Sequence, residues 1–139
     1  MKTVADIMTR NVISVNDDDN LHHARMLLKQ YSIRHLPVVN AAGEYAGLLA
    51  QRDVLNNALH VVEKFGFSKL TAREERTLVK DVMGKDTPSV SSTMPLREAG
   101  NYFVEHKHSC LPVVDGGKLL GILTSVDFVK LSLSLLGDD

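Results

Sequence analysis

The strongest constraint on this chain is that one unit is written twice. Met8 and Met83, Val15 and Val90, and Pro37 and Pro112 each stand 75 positions apart, whereas Asp53 and Asp127 stand 74 apart. The offset drops by one inside a predicted hairpin turn, where loss of a residue costs least. Solenoid arrays use periods of roughly 20 to 50 residues and need several copies. Two copies of this longer unit are therefore expected to pair with each other, filling one domain of ordinary size in 139 residues.

The stretch Leu111 to Asp127, LPVVDGGKLLGILTSVD, holds two apolar runs joined by Gly116-Gly117 and then a Thr-x-x-Asp step into a new apolar segment. Two strands in a hairpin followed by a helix start is the natural reading. Its echo is Leu36 to Val39, a turn at Ala42-Gly43, Tyr45 to Leu49, and a helix near Gln51. Both hairpins are almost wholly apolar and should be covered on both faces. A short helix opens each copy, at Thr3-Val4-Ala5-Asp6 with capping-box spacing and at Val79 to Met83. Val12 to Val15 and Pro88 to Val90 read as brief strands. Amphipathic helices follow, capped from Asp17-Asp18-Asp19-Asn20 and from Ser92 or Thr93. Each unit thus reads helix, strand, helix, strand, strand, helix.

Residues 56–80 have no echo. The first closing helix should run on to a stop at Gly66, and Thr71-Ala72-Arg73-Glu74 should cap a polar helix running toward Val82. Lys64, Lys69, Arg73, Arg76 and Lys80 make this connector locally basic, but Glu63, Glu74 and Glu75 are interleaved with them, so a solvated face is expected. With a net charge of −1 the chain lacks the basic footprint of a nucleic-acid binder. The single Cys110 excludes an internal disulfide and suits a buried, reduced strand thiol. Neither a signal-type apolar segment near the start nor a run of about 18 apolar residues is present, so a soluble cytoplasmic protein without membrane contact is expected. The acid run lacks the Gly and distal Glu of a calcium loop, and His22-His23 cannot share a helix face, so no metal site is expected.

The pieces V-x-D-(I/V)-M, S-V, an amphipathic helix, R-H-L-P-V-V or its variant S-C-L-P-V-V, G-(I/L)-L and T-x-x-D, in order and twice, resemble the cystathionine β-synthase (CBS) domain. Two in tandem resemble a Bateman module and, more loosely, the stand-alone pairs labelled acetoin-utilisation AcuB-like. The resemblance implies an α/β (α+β) fold of two tandem β-α-β-β-α repeats packed as a pseudo-two-fold pair, with repeat 1 over 1–58, a helical connector over 59–78 and repeat 2 over 79–139. It also implies clefts between the repeats that take adenosine ligands such as AMP, ADP, ATP or S-adenosylmethionine. By the same resemblance, the Asp of T-x-x-D holds the ribose hydroxyls, its Thr the phosphate, basic residues before L-P-V-V of the other repeat approach the phosphates, and backbone near the first strand reads adenine.

Carried over by residue, one cleft combines Thr124 and Asp127 with Arg34 and His35, and with Asp86, Thr87 and Pro88 near the adenine. The weaker second cleft combines Asp53 with Ala50 where a hydroxyl should be and Ser109 and Cys110 where the basic pair should be; Arg52 or His108 could compensate. A carboxylate can accept from two vicinal hydroxyls, and Arg offers a planar fork for phosphate oxygens. Helix capping alone would also explain Thr124 and Asp127, and Arg34 and His35 could be plain strand-edge residues.

The expected function is a non-catalytic regulatory module with no prosthetic group. It binds an adenine nucleotide, forms a homodimer through the apolar tail Phe128 to Leu136, for which docking on the other repeat of the same chain is the alternative, and signals to an unknown effector protein in trans. Alternatives are a structural dimerisation scaffold with vestigial clefts, or a sensor of S-adenosylmethionine or NAD. No nucleophile–base pair, metal-ligand spacing or Gly-rich phosphate loop points to an enzyme.

Overall fold

A computed structural model describes residues 2–106 and 109–137. The chain forms two compact units, Met1–Val12 with Pro88–Asp139, and Ile13–Thr87. Each contains most of one sequence repeat plus the opening segment of the other.

In the second unit, β1 (Val15–Asn16) pairs in parallel with β2 (His35–Val39), and β2 pairs antiparallel with β3 (Tyr45–Ala50). Apolar residues at every position of the β2 centre fit a strand covered on both sides, and Leu36, Pro37 and Val38 are buried. The turn is held by Asn40, whose Oδ1 accepts from the N–H groups of Ala42 and Glu44, both at 3.0 Å. α2 (Leu21–Gln30) starts at Asn20, whose side chain accepts from the His23 N–H at 2.8 Å. Leu21, Ala24 and Leu28 are on its buried face and join Leu36, Val38, Leu49, Val54 and Val79 in one core. α3 (Gln51–Phe65) ends at Gly66, which takes φ +90°.

The capping box expected at Thr71 does not form. α4 (Leu70–Arg76) begins before Thr71 and stops at Arg76, and a separate 3-10 turn covers Val79–Asp81. Glu74 turns inward instead, to a bidentate pair with Arg25 of α2. The second opening segment is thus a 3-10 turn, whereas the first is an α-helix, α1 (Val4–Ile7), with Asp6 accepting from the Thr3 N–H at 2.8 Å.

In the first unit, β4 (Cys110–Asp115) and β5 (Lys118–Thr124) form the hairpin, with Gly116 and Gly117 both at positive φ as a tight two-residue turn demands. The segment expected as a strand at Pro88 to Val90 is reduced to one parallel bridge, Val90 to Val113, the counterpart of Val15 to Val38. The chain leaves the sheet there because the Ser92 N–H and hydroxyl both bond to the Asp115 carboxylate. Ser92 is therefore spent on the sheet edge rather than on capping α5 (Leu96–His106). α6 (Ser125–Leu136) closes the unit. Val4 and Met8 of α1 and its exit lie in a core with Val90, Ala99, Leu111, Val113 and Leu123.

Candidate functional site

Both strand-to-helix joints place an aspartate as the third residue of the closing helix, with its side chain folded back over the joint. In the first unit Asp127 Oδ2 accepts from the Thr124 N–H at 2.8 Å and from the Thr124 hydroxyl at 3.2 Å. Its Oδ1 accepts from the Thr9 hydroxyl at 3.3 Å, and the carboxylate is only 7% exposed. Thr9 arrives through a two-way backbone bridge with Ile122, with N–H to O distances of 2.9 and 3.0 Å. Gly121 makes that approach possible, since a Cβ there would collide with the Thr9 carbonyl. Sequence reasoning did not single out Thr9. Its signal was its place directly after Met8, the position that Gly84 takes after Met83. Cys110 pairs with Thr124 across the hairpin, and burial, then the Asp127 charge, pushes its thiol up to about 12. It is a protonated packing group at neutral pH.

In the second unit Asp53 Oδ2 accepts from the Ala50 N–H at 2.8 Å, and Ala50 supplies no hydroxyl. His35 lies opposite Ala50 in the sheet, and the Arg34 carbonyl accepts from the Gln51 N–H at 2.8 Å. Burial, and then the positive charges of Arg34 and Arg52, hold His35 below the usual imidazole range against the opposing pull of Asp53. Arg34, His35, Arg52 and Asp53 therefore share one electrostatic neighbourhood in this unit. Gly84 and Leu48 make the bridge equivalent to Thr9 and Ile122, at 3.0 and 2.9 Å. Thr87 stands close behind, where a Cβ on Gly84 would lie 3.2 Å from its hydroxyl. Asp86 and Thr87 thus belong to the unit of Asp53, while Pro88 begins the segment that belongs with Asp127. Ser109 is exposed, and His108 lies outside the described residues. Among the described residues no three His, Cys, Asp or Glu side chains cluster as metal ligands.

The CBS domain model matches residues 4–60 and 79–134, so both joints and both hairpins fall inside the matched stretches. The chain belongs to the CBS domain family. Its two CBS repeats are similar to the CBS domain-containing protein YhcV of Bacillus subtilis, with 30% identity over 96% of this chain and 88% of that protein. Among solved structures it resembles a candidate acetoin utilization protein (AcuB) of Vibrio cholerae, at 34% identity and a TM-score of 0.82 over 98% of this chain and 93% of that one. CBSX2 of Arabidopsis thaliana, solved in complex with AMP, matches at 29% identity and a TM-score of 0.82 over 98% and 99%. This chain matches less than half of the length of several other curated relatives, an inosine-5'-monophosphate dehydrogenase and a homoserine O-acetyltransferase among them.

Proposed function

We propose that this CBS pair is a non-catalytic regulatory module that binds an adenosine nucleotide and passes the bound state to an effector protein in trans. The observation that carries this reading is Asp127. Its two oxygens already accept from two separate hydroxyls, those of Thr9 and Thr124, which is the hydrogen-bond pattern a ribose diol would offer in their place. Asp127 is the ribose reader, Thr124 and the α6 N-terminus favour a phosphate, and Arg34 and His35 supply the neutralising cations. Pro88 is the adenine-facing backbone proposed for Asp127, whereas Asp86 and Thr87, which the resemblance puts beside it, fall in the unit of Asp53. Asp53, with Arg52 and His108, is the weaker set, because Ala50 withholds the hydroxyl. CBSX2, alike over nearly its full length and solved with AMP, supports the ligand class.

Calorimetric titration of AMP and ATP into the native protein, Asp127→Ala and Asp53→Ala tests it. Asp127→Ala is expected to abolish binding and Asp53→Ala to leave it largely intact; the reverse pattern overturns the assignment. The same titration with S-adenosylmethionine and NAD distinguishes those sensor readings.

A dimerisation scaffold is the second reading, favoured by one observation. Val126, Val129, Leu133 and Leu136 form an exposed apolar row on α6. A second copy covering this row is the proposed homodimer. Among the described residues no helix is long and apolar enough to cross a membrane. A cytoplasmic location is part of the proposed regulatory reading.

A further inference from the structure

The connector, the one part of the chain without an echo, carries a feature that the repeats do not explain. Phe65, at the end of α3, Lys69, just before α4, and Ala72, Arg73 and Arg76, along α4, line a hollow of about 370 Å³ in the second unit. Arg73 and Arg76 share one face of α4 by their three-residue spacing, and Lys69, at its N-cap, lines the same hollow. The Arg73 guanidinium carbon lies over the Phe65 ring, 3.4 Å from its centroid, and Lys64 approaches the same ring at 5.5 Å.

Two facts leave this stretch with more surface cations than anions, although Glu63 and Glu75 are exposed in it. Glu74, which the sequence interleaves with these cations, is buried against Arg25 and gives nothing to the surface. Lys69, Arg73 and Arg76 form no ion pair among the described residues. The contact with Phe65 restricts the Arg73 side chain, and its guanidinium, which forms no ion pair among the described residues, suits the planar pairing of Arg with a phosphate or carboxylate. The hollow falls within the size range of small-molecule sites, and Phe65 and Ala72 give it an apolar floor beside the cations.

We infer that this hollow is a second ligand site, independent of Asp127 and Asp53, that takes a small phosphate monoester with an apolar body. The charge is read by Arg73, Arg76 and Lys69, and the body lies against Phe65 and Ala72. The site is private to the connector, so a ligand here reports on chemistry other than that read by the repeats.

The test is a titration of phenyl phosphate at fixed ionic strength, followed by amide chemical shifts, into the native protein, Arg73→Gln/Arg76→Gln and Arg76→Gln. All substituted residues are exposed, and the single variant leaves the stacked pair in place. Saturable shifts confined to residues 64–76 are expected, weakened roughly tenfold in the double variant and less in the single one. Asp127→Ala and Asp53→Ala should leave them unchanged, which separates this result from the fate of the adenosine reading. Inorganic phosphate and phenol should each bind at least roughly tenfold more weakly than phenyl phosphate, because each satisfies only half of the site. Shifts that fail to saturate, that survive both Arg substitutions, or that are produced more tightly by a hexaglutamate peptide would overturn the proposal, the last in favour of an acidic protein partner.

Discussion

Glu74 is 1% exposed, and Arg25 grips it through Nε and Nη2 at 2.6 to 2.9 Å, with His22 Nδ1 3.5 Å from the same carboxylate. The two partners are not equivalent, because about a third of the Arg25 side chain remains in water. Removing Arg25 strands a carboxylate in the core, whereas removing the charge of Glu74 leaves a guanidinium that can still hydrate. Arg25→Gln is therefore expected to lower stability by about 3 kcal/mol and Glu74→Gln by about 1 to 2 kcal/mol, as read from urea unfolding midpoints. His35 gives a pH signature of known sign. Its folded value is held below 6.5 by burial, Arg34 and Arg52, with Asp53 opposing. Below pH 6.5 the unfolded chain takes up a proton before the folded one does, so stability is full above that pH and declines as pH falls through the folded value. His35→Gln should flatten this part of the stability–pH curve measured by thermal melts between pH 5 and pH 8.

The joints between hairpin, opening segment and closing helix depend on two glycines. At Gly47 a Cβ would lie 2.6 Å from the Gly84 carbonyl, and at Gly121 it would strike the Thr9 carbonyl. Gly121→Ala is expected to cost about 1 to 3 kcal/mol by overpacking and to push Thr9 away from Asp127. If Thr9 mimics a ribose hydroxyl, that variant should also change AMP affinity, while Gly47→Ala should destabilise without moving Thr9; paired melting and calorimetry distinguish the two effects. The hairpins themselves were legible in the sequence, because Gly116-Gly117 and the all-apolar runs leave few alternatives, and the one-residue deletion falls between Val39/Val114 and Tyr45/Leu119 as the offset implies. Local capping was less legible. Thr71-x-x-Glu74 and Ser92 have the right residue types, but Arg25 and Asp115, distant in sequence, outbid the helix ends for Glu74 and Ser92. The pairing of Thr9 with Asp127 was hidden for the same reason, since 118 positions separate them.

At the scale of the whole chain, the sequence repeats and the compact units do not coincide. Thr9 of the first repeat bridges Ile122 of the second, and Gly84 of the second bridges Leu48 of the first. The repeat was legible because it is written in residue identities; the exchange was not, because it is written in non-local register. The exposed row on α6 makes a prediction at this scale. Sedimentation of the native protein at micromolar concentration should give twice the mass of one chain, and Val129→Glu/Leu133→Glu should give a single chain that still melts cooperatively, since both side chains face solvent within one chain, but without the concentration dependence of the native melt. A native mass of one chain would remove this row from the dimer interface. The exchange of opening segments also sets an order of events during synthesis. Residues 13–87 can close on themselves as soon as they have emerged. Val4 and Met8 have no core partners until Val90 to Leu123 appear roughly 80 to 120 residues later, which at ribosomal speeds of about 5–20 residues per second is a wait of roughly 4–24 seconds. The opening segment of the first repeat is thus made early and packed late, and its apolar side chains are open to chaperones for the whole interval.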